Sequence, residues 1–319
     1  MKAVKSVLFT MSNGLQIPAL GLGTWKSKPN EVKNAVKYAI LEAGYRHLDC
    51  AFVYQNENEV GEALKEVFAT SSLKRSDIFV TSKCWNTFHS RPRVTEAIKK
   101  TLAALQLDYV DLYLVHWPYG FKECDDLIPL DEHQNYLGSD VHFTETWQGM
   151  EDVYDAGLAK SIGISNFNSV QVEQILSMCR VKPVMNQIEV HPYLAQNQLV
   201  DFCKKHDIMI TAYSPLGSRD NPWAKPDDPN LLDDPVVKEI AAKHSKSPAQ
   251  VLIKHQLQRG LVVIPKSVNP SRISQNIDVF DFELTEDEMK KIASLDRGWR
   301  VVPVNEARQL PHYPFNIPF

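Results

Sequence analysis

Eight short apolar runs, each followed by a stretch with helical spacing, recur along this chain and constrain its fold more than any other feature. The runs are Leu20 to Gly23, His47 to Cys50, Ile78 to Thr81, Leu112 to Val115, Ser161 to Ile164, Val184 to Ile188, Ile208 to Ala212 and Leu261 to Ile264. They are rich in β-branched residues and several are continuously apolar, the pattern of parallel strands covered on both faces. Between them apolar residues recur every three or four positions, as in Val32, Ala35, Val36, Ala39 and Ile40, in Val60, Ala63, Leu64, Val67 and Phe68, and in Leu199, Phe202, Cys203 and His206. Each such segment buries one stripe of a helix. Pro92 early in the third helix, Gly44 and Gly157 after the first and fourth, and a Thr285-x-x-Glu288 capping box opening a late extra helix punctuate the repeat. Ahead of it, Val7 to Thr10 and Leu15 to Ile17 flank Ser12-Asn13-Gly14, a hairpin signal.

At 319 residues the chain has room for one large domain or two of average size. No Pro/Gly/Ser-rich linker divides it, so the repeat predicts one α/β domain over residues 1–319: a single (β/α)8 TIM barrel with an N-terminal hairpin and extra helices. An open, doubly wound sheet is the competing arrangement. Its dinucleotide fingerprint is missing, because Gly21-Leu22-Gly23-Thr24-Trp25-Lys26 lacks the third glycine. With 35 basic and 39 acidic residues the net charge is −4, so nucleic acid is not an expected partner. No apolar run approaches the roughly 18 residues of a membrane helix, and the N-terminal apolar stretch is too short for a signal peptide. Five widely spaced cysteines without C-x-x-C predict reduced thiols, a cytoplasmic location and no metal.

A barrel carries its chemistry on the loops after its strands, and here those positions are polar. Asp49 ends the second strand with Tyr54 just beyond; Lys83 follows the third, His116-Trp117 the fourth and Ser165-Asn166 the fifth. Asn186-Gln187, Tyr213-Ser214 and Lys266-Ser267 belong to the last three. Taken singly, each has an ordinary reading as a loop cap, a solvated charge or a packed ring. Together, Asp49, Tyr54, Lys83 and His116 make a proton-delivery device. A phenol titrates near 10 and donates reluctantly, so the Lys83 ammonium is expected to lower it while Asp49 orients the ammonium. Neutral His116 would aim a substrate oxygen at Tyr54. In the run Ile264 to Asn276, Lys266, Ser267 and Arg272 lead into a helix and form a candidate phosphate clamp. Trp25, Trp85, Trp117 and Trp223 fall on mouth loops, where they can wall an apolar pocket; Trp147 lies on a helical stripe and is expected in the core. Three stretches exceed what barrel connections need and are expected to line the site: Trp117 to Thr144, Ser214 to Asp234 and Asp296 to Phe319.

Gly44-Tyr45-Arg46-His47-Leu48-Asp49-Cys50-Ala51, followed by Glu57 and Val60-Gly61, resembles the first signature of the aldo-keto reductases. Gly163-Ile164-Ser165-Asn166-Phe167 and the Ile264 to Asn276 segment resemble the other two. The similarity runs from the hairpin to Tyr313-Pro314-Phe315 and is greatest to the aldose and aldehyde reductases, through Ser214-Pro215-Leu216-Gly217-Ser218 and Asn221-Pro222-Trp223-Ala224-Lys225-Pro226. It implies NADPH-dependent reduction of aldehydes and some ketones by a monomer, with Asp49, Tyr54, Lys83 and His116 as catalytic tetrad and Tyr54 as proton donor. Cofactor contacts implied in the same way fall on Thr24, Trp25, Ser165, Asn166, Gln187, Ser214, Leu216 and Val268. Tyr213 would stack on the nicotinamide, Ser218 and Asp220 would touch the pyrophosphate, Lys266, Ser267 and Arg272 would grip the 2′-phosphate, and Gln275 and Asn276 the adenine. The carbonyl substrate would meet Trp25, Trp85, His116, Trp117, Ile128, Trp223 and Val302.

Departures from the family pattern gather in that substrate pocket: Val302-Pro303-Val304 replaces a cysteine and small apolar residues, Ile128 a phenylalanine and Tyr119 a threonine. Two other readings are a nucleotide-binding barrel without turnover and a ketosteroid- or prostaglandin-type carbonyl reductase. An ene-reductase would carry glutamate where this chain has His116.

Overall fold

The computed structural model describes residues 7–219 and 221–319. A two-stranded antiparallel ribbon, β1 (Leu8–Thr10) and β2 (Gln16–Pro18), precedes eight parallel strands. These are β3 (Leu22–Gly23), β4 (His47–Asp49), β5 (Phe79–Cys84), β6 (Leu112–Val115), β7 (Ile162–Ser165), β8 (Met185–Glu189), β9 (Met209–Tyr213) and β10 (Val262–Val263), each hydrogen-bonded to the next in chain order. Bridges Leu20↔Val263 and Gly23↔Lys266 join the first strand to the last, so the sheet closes on itself. The barrel expected from the eightfold repeat is therefore the fold. The two glycines that failed as a nucleotide fingerprint allow close packing, Gly23 at this closure and Gly21 against β4. A Cβ on Gly21 would lie 2.6 Å from the His47 ring and one on Gly23 3.0 Å from the Ile264 carbonyl.

Helices α1 (Val32–Tyr38), α2 (Glu57–Thr70), α3 (Arg91–Leu105), α4 (Phe143–Asp155), α5 (Ser169–Met178) and α6 (Asn197–Lys205) each follow a barrel strand. Helix α7 (Pro235–Lys243) is inserted before α8 (Pro248–Gln258), and α10 (Glu286–Ala293) follows α9 (Pro270–Ile277) and packs against α7. These two are the extra helices. Their starts are written locally: Thr285 and Glu288 form the expected capping box, and Asn168/Gln171 and Ser247/Gln250 form two more. Helix α1 runs on as a π-turn over Ala39–Ala43 and stops at Gly44, whose φ of 89° relieves the end with no steric cost. The predicted stripes face inward. Val32, Val36, Val60, Ala63, Leu64, Val67 and Trp147 are all buried, each large apolar side chain contributing about 1.5–3 kcal/mol.

Strand limits differ from the sequence reading where polar residues continue a strand. β5 extends past the expected Thr81 to Cys84 and so contains Lys83, while β8, expected over Val184 to Ile188 with Asn186 and Gln187 inside it, runs one residue further to Glu189. Apolar patterning stops short at Thr81 because the next residues of β5, Ser82 and Lys83, are polar. Conversely β10 shrinks to two residues, since Pro265 has no N–H to continue the ladder. The three long connections hold little regular structure and all reach the mouth. Two bridges, Phe121↔Gly138 and Leu130↔Tyr136, order the first of them.

Candidate active site

Parallel register sets the strand ends side by side: Gly23 pairs with Asp49, Asp49 with Thr81, Lys83 with Leu114 and Ser165 with Gln187. The residues that the sequence scatters over more than a hundred positions thus meet at one end. Lys83 is completely buried, and its ammonium donates to Asp49 Oδ1 at 2.6 Å, the Cys50 carbonyl at 2.8 Å and Tyr54 Oη at 3.4 Å. An ammonium has three protons, and all three are used, which is what a buried cation requires. The second carboxylate oxygen of Asp49 accepts from Gln187 Nε2 at 2.7 Å. Tyr54 stands on a single 3-10 turn, Phe52–Tyr54, between Trp25 and His116, whose ring meets it edge-on with centroids 6.0 Å apart. Trp85 packs edge-on to the far side of His116 at 5.3 Å.

Electrostatics depart from expectation at the phenol. Enclosure pushes Tyr54 well above its ordinary value, and the neighbouring Asp49 carboxylate adds to it. The expected lowering by Lys83 is overturned: one ammonium already neutralised by a carboxylate at 2.6 Å does not outweigh desolvation. Tyr54 therefore stays protonated, the form that can donate. Burial, with the Lys83 charge adding, holds His116 well below the ordinary histidine range, so its ring is neutral. Its Nδ1 is buried without a partner among the described residues.

Beside this group Asn166 takes a left-handed conformation, φ 64°, which its short amide tolerates. It donates to the His116 carbonyl at 3.0 Å and accepts from Tyr213 Oη at 2.8 Å, while Ser165 Oγ donates to the Gln187 carbonyl at 2.8 Å. At the β10 end Lys266 Nζ donates to the Lys26 carbonyl at 3.1 Å, and the Asn269 side chain caps α9 by accepting from Arg272 N.

All of this opens on one cavity of about 710 Å³, within the range of cofactor and substrate sites. Of the predicted residues, Thr24, Trp25, Asp49, Tyr54, Trp85, His116, Trp117, Ile128, Ser165, Asn166, Gln187, Tyr213, Ser214, Leu216, Ser218, Trp223, Lys266, Ser267, Val268, Arg272 and Val302 line it. Lys83 lies beneath the floor. Gln275, exposed, and Asn276, buried, are outside the lining; Asp220 lies outside the described residues. Lining residues that the sequence reading missed include Val53, Phe121, Tyr136 and Arg219. Loop length was the only signal for Phe121 and Tyr136. The cations Lys26, Arg219, Lys266 and Arg272 share the cavity with an aromatic wall of Trp25, Trp85, Trp117, Tyr119 and Phe121. Among the described residues no helix is long and apolar enough to cross a membrane.

The donor set suits an extended nucleotide. Tyr213 offers an aromatic face, Ser165, Asn166 and Gln187 offer a polar edge for an amide, and Lys266, Ser267 and Arg272 at the start of α9 offer cations and a hydroxyl for phosphate.

The profile of the Aldo/keto reductase family matches residues 19–297. Aldo-keto reductase family 1 member A1 of Gallus gallus is 50% identical over 317 residues, 96% of this chain and 97% of that protein. The Homo sapiens protein of the same name is 48% identical over 319 residues, 97% and 98% of the two chains. The solved aldose reductase of Schistosoma japonicum superposes with a TM-score of 0.93 at 45% identity, covering 98% of this chain and all of its own.

Proposed function

This chain belongs to the Aldo/keto reductase family, and from that premise we propose that it reduces aldehydes and some ketones to alcohols with NADPH, taking the proton from Tyr54. The observation that carries the proposal is the single ammonium of Lys83 held against both Asp49 and Tyr54 under a cavity that unites aromatic walls with cationic ends.

When bound, NADPH supplies the hydride that the carbonyl carbon accepts. Lys266, Ser267 and Arg272 would hold its 2′-phosphate, Tyr213 its nicotinamide face, and Ser165, Asn166 and Gln187 its carboxamide. Neutral His116 orients the carbonyl oxygen toward Tyr54. The phenol gives up its proton as negative charge develops on that oxygen. Lys83 stabilises the phenolate left behind, and it can do so at once because Asp49 and the Cys50 carbonyl already fix it. Gln187 keeps the free oxygen of Asp49 from turning away. Trp25, Trp85 and Trp117 exclude water. The five free cysteines fit a cytosolic enzyme, acting as a monomer.

The test is loss of NADPH absorbance with glyceraldehyde or an aromatic aldehyde. Tyr54→Phe is expected to remove turnover by a factor of about 10² or more while NADPH still quenches protein fluorescence. Undiminished turnover in that variant refutes the proton-donor assignment; no turnover of any carbonyl by the unaltered protein refutes the reduction itself.

A further inference from the structure

Glu189, the last residue of β8, is a fully buried carboxylate that does not line the cavity. Its oxygens face the C-terminal segment. Val301 N–H donates to Oε1 at 2.6 Å and Val302 N–H to Oε2 at 2.9 Å, and His191 Nε2 meets Oε1 at 2.9 Å. Burial pushes this carboxyl up, but His191, Arg300 and the Val301 N–H outweigh it and hold the group below its ordinary range, so the acceptor is charged. Arg300, the residue before Val301, lies over the Phe315 ring at 3.7 Å from its centroid.

Two residues beyond the clamped amides, Val304 takes φ 45°, ψ 55°, a conformation that costs a β-branched residue strain and persists only where the surroundings impose it. The segment is also held from its other side, by Tyr313 Oη donating to the Pro303 carbonyl at 2.5 Å. Val302 and Val304 are the residues of this segment that line the cavity. A barrel strand thus reaches out through one carboxylate to two consecutive backbone amides and sets the wall that follows them.

We propose that Glu189 is a positioning residue for substrate selection: its carboxylate clamps the Val301 and Val302 amides and so fixes the apolar wall that Val302 and Val304 present to the carbonyl compound. This rests on the carbonyl-reductase reading of the cavity. Glu189 touches neither substrate nor cofactor, and its effect grows with how far a substrate extends from the reacting carbon toward that wall.

Glu189→Gln keeps the side-chain shape but leaves one acceptor oxygen for two amides. In this variant the KM of a bulky aryl aldehyde such as 2-naphthaldehyde is expected to rise about ten-fold. The KM of propionaldehyde, both kcat values and the affinity for NADPH are expected to stay within about two-fold. Amide hydrogen exchange at Val301 and Val302 should accelerate. Tyr313→Phe, which releases the same segment from outside the barrel, should raise the same KM selectively; it carries the test if Glu189→Gln does not fold. Equal KM changes for both aldehydes, or exchange at Val301 and Val302 unchanged from the unaltered protein, overturn the proposal. An unaltered protein that reduces neither aldehyde refutes the reading of function, and the exchange measurement then decides the clamp by itself.

Discussion

Glu57 is a carboxyl at the start of α2, buried between α2, β5 and α3, where Ser82 Oγ donates to Oε1 at 2.5 Å and Thr101 Oγ1 to Oε2 at 3.0 Å. Two neutral hydroxyls do not replace the hydration of a carboxylate. Burial raises the group from an ordinary 4.5 to about 7, with Ser82, Thr101 and the nearby Lys83 charge opposing. The favourable end of the helix dipole, worth about 0.3–1 kcal/mol, is too small to reverse this. Between 4.5 and 7 the folded chain therefore holds a proton that the unfolded chain has lost, so stability falls as pH rises through that window. At about 1.36 kcal/mol per pH unit the whole effect is about 3 kcal/mol, of which about 2.5 falls between pH 5 and pH 8. Glu57→Gln removes the titration and keeps a side chain that can bond both hydroxyls. Denaturant unfolding of the two proteins at pH 5 and pH 8 should show the gap between them moving by about 2.5 kcal/mol in the variant's favour at the higher pH. Thermal scans should show roughly 4 °C, given about 2.1 cal/mol/K of unfolding entropy per residue. Parallel pH profiles would mean that Glu57 is ionised in the fold and that Lys83, not desolvation, governs it.

Arg272→Ala removes one cation from the start of α9 and should weaken NADPH binding roughly ten-fold while NADH binding barely changes, read by fluorescence titration; equal losses would refute the 2′-phosphate assignment. Gly44→Ala meets no atom within 4 Å of the new Cβ yet forces alanine to φ 89°, so denaturant unfolding should show a loss of about 1–2 kcal/mol with activity retained. An unchanged midpoint would show that the end of α1 relaxes.

Much of the site was legible because the barrel converts sequence order into spatial adjacency. Once eight strand-helix units are recognised, residues at the ends of apolar runs must share a rim, and Asp49, Tyr54, His116, Ser165, Asn166, Gln187 and Tyr213 do. Lys83 was found but placed after its strand, since a charged residue inside a buried strand contradicts apolar patterning unless its partner is known. Glu57 and Glu189 carried no such signal as buried charges. Their partners, Ser82 and Thr101 for one, Val301 and Val302 for the other, are decided by packing across the fold.

From its residues in order the chain determines the local record: short continuous apolar runs alternating with period-3.6 apolar spacing, capping boxes, glycines at turn ends, and with them the number and direction of the barrel's parts. These depend on neighbours a few residues away. Protonation of Tyr54, neutrality of His116 and the wall built from Val302 and Val304 depend instead on what surrounds each group in space. Desolvation and Coulomb energies are set by distance and dielectric between groups far apart in the chain, and only the closed barrel with its tail folded back supplies those distances.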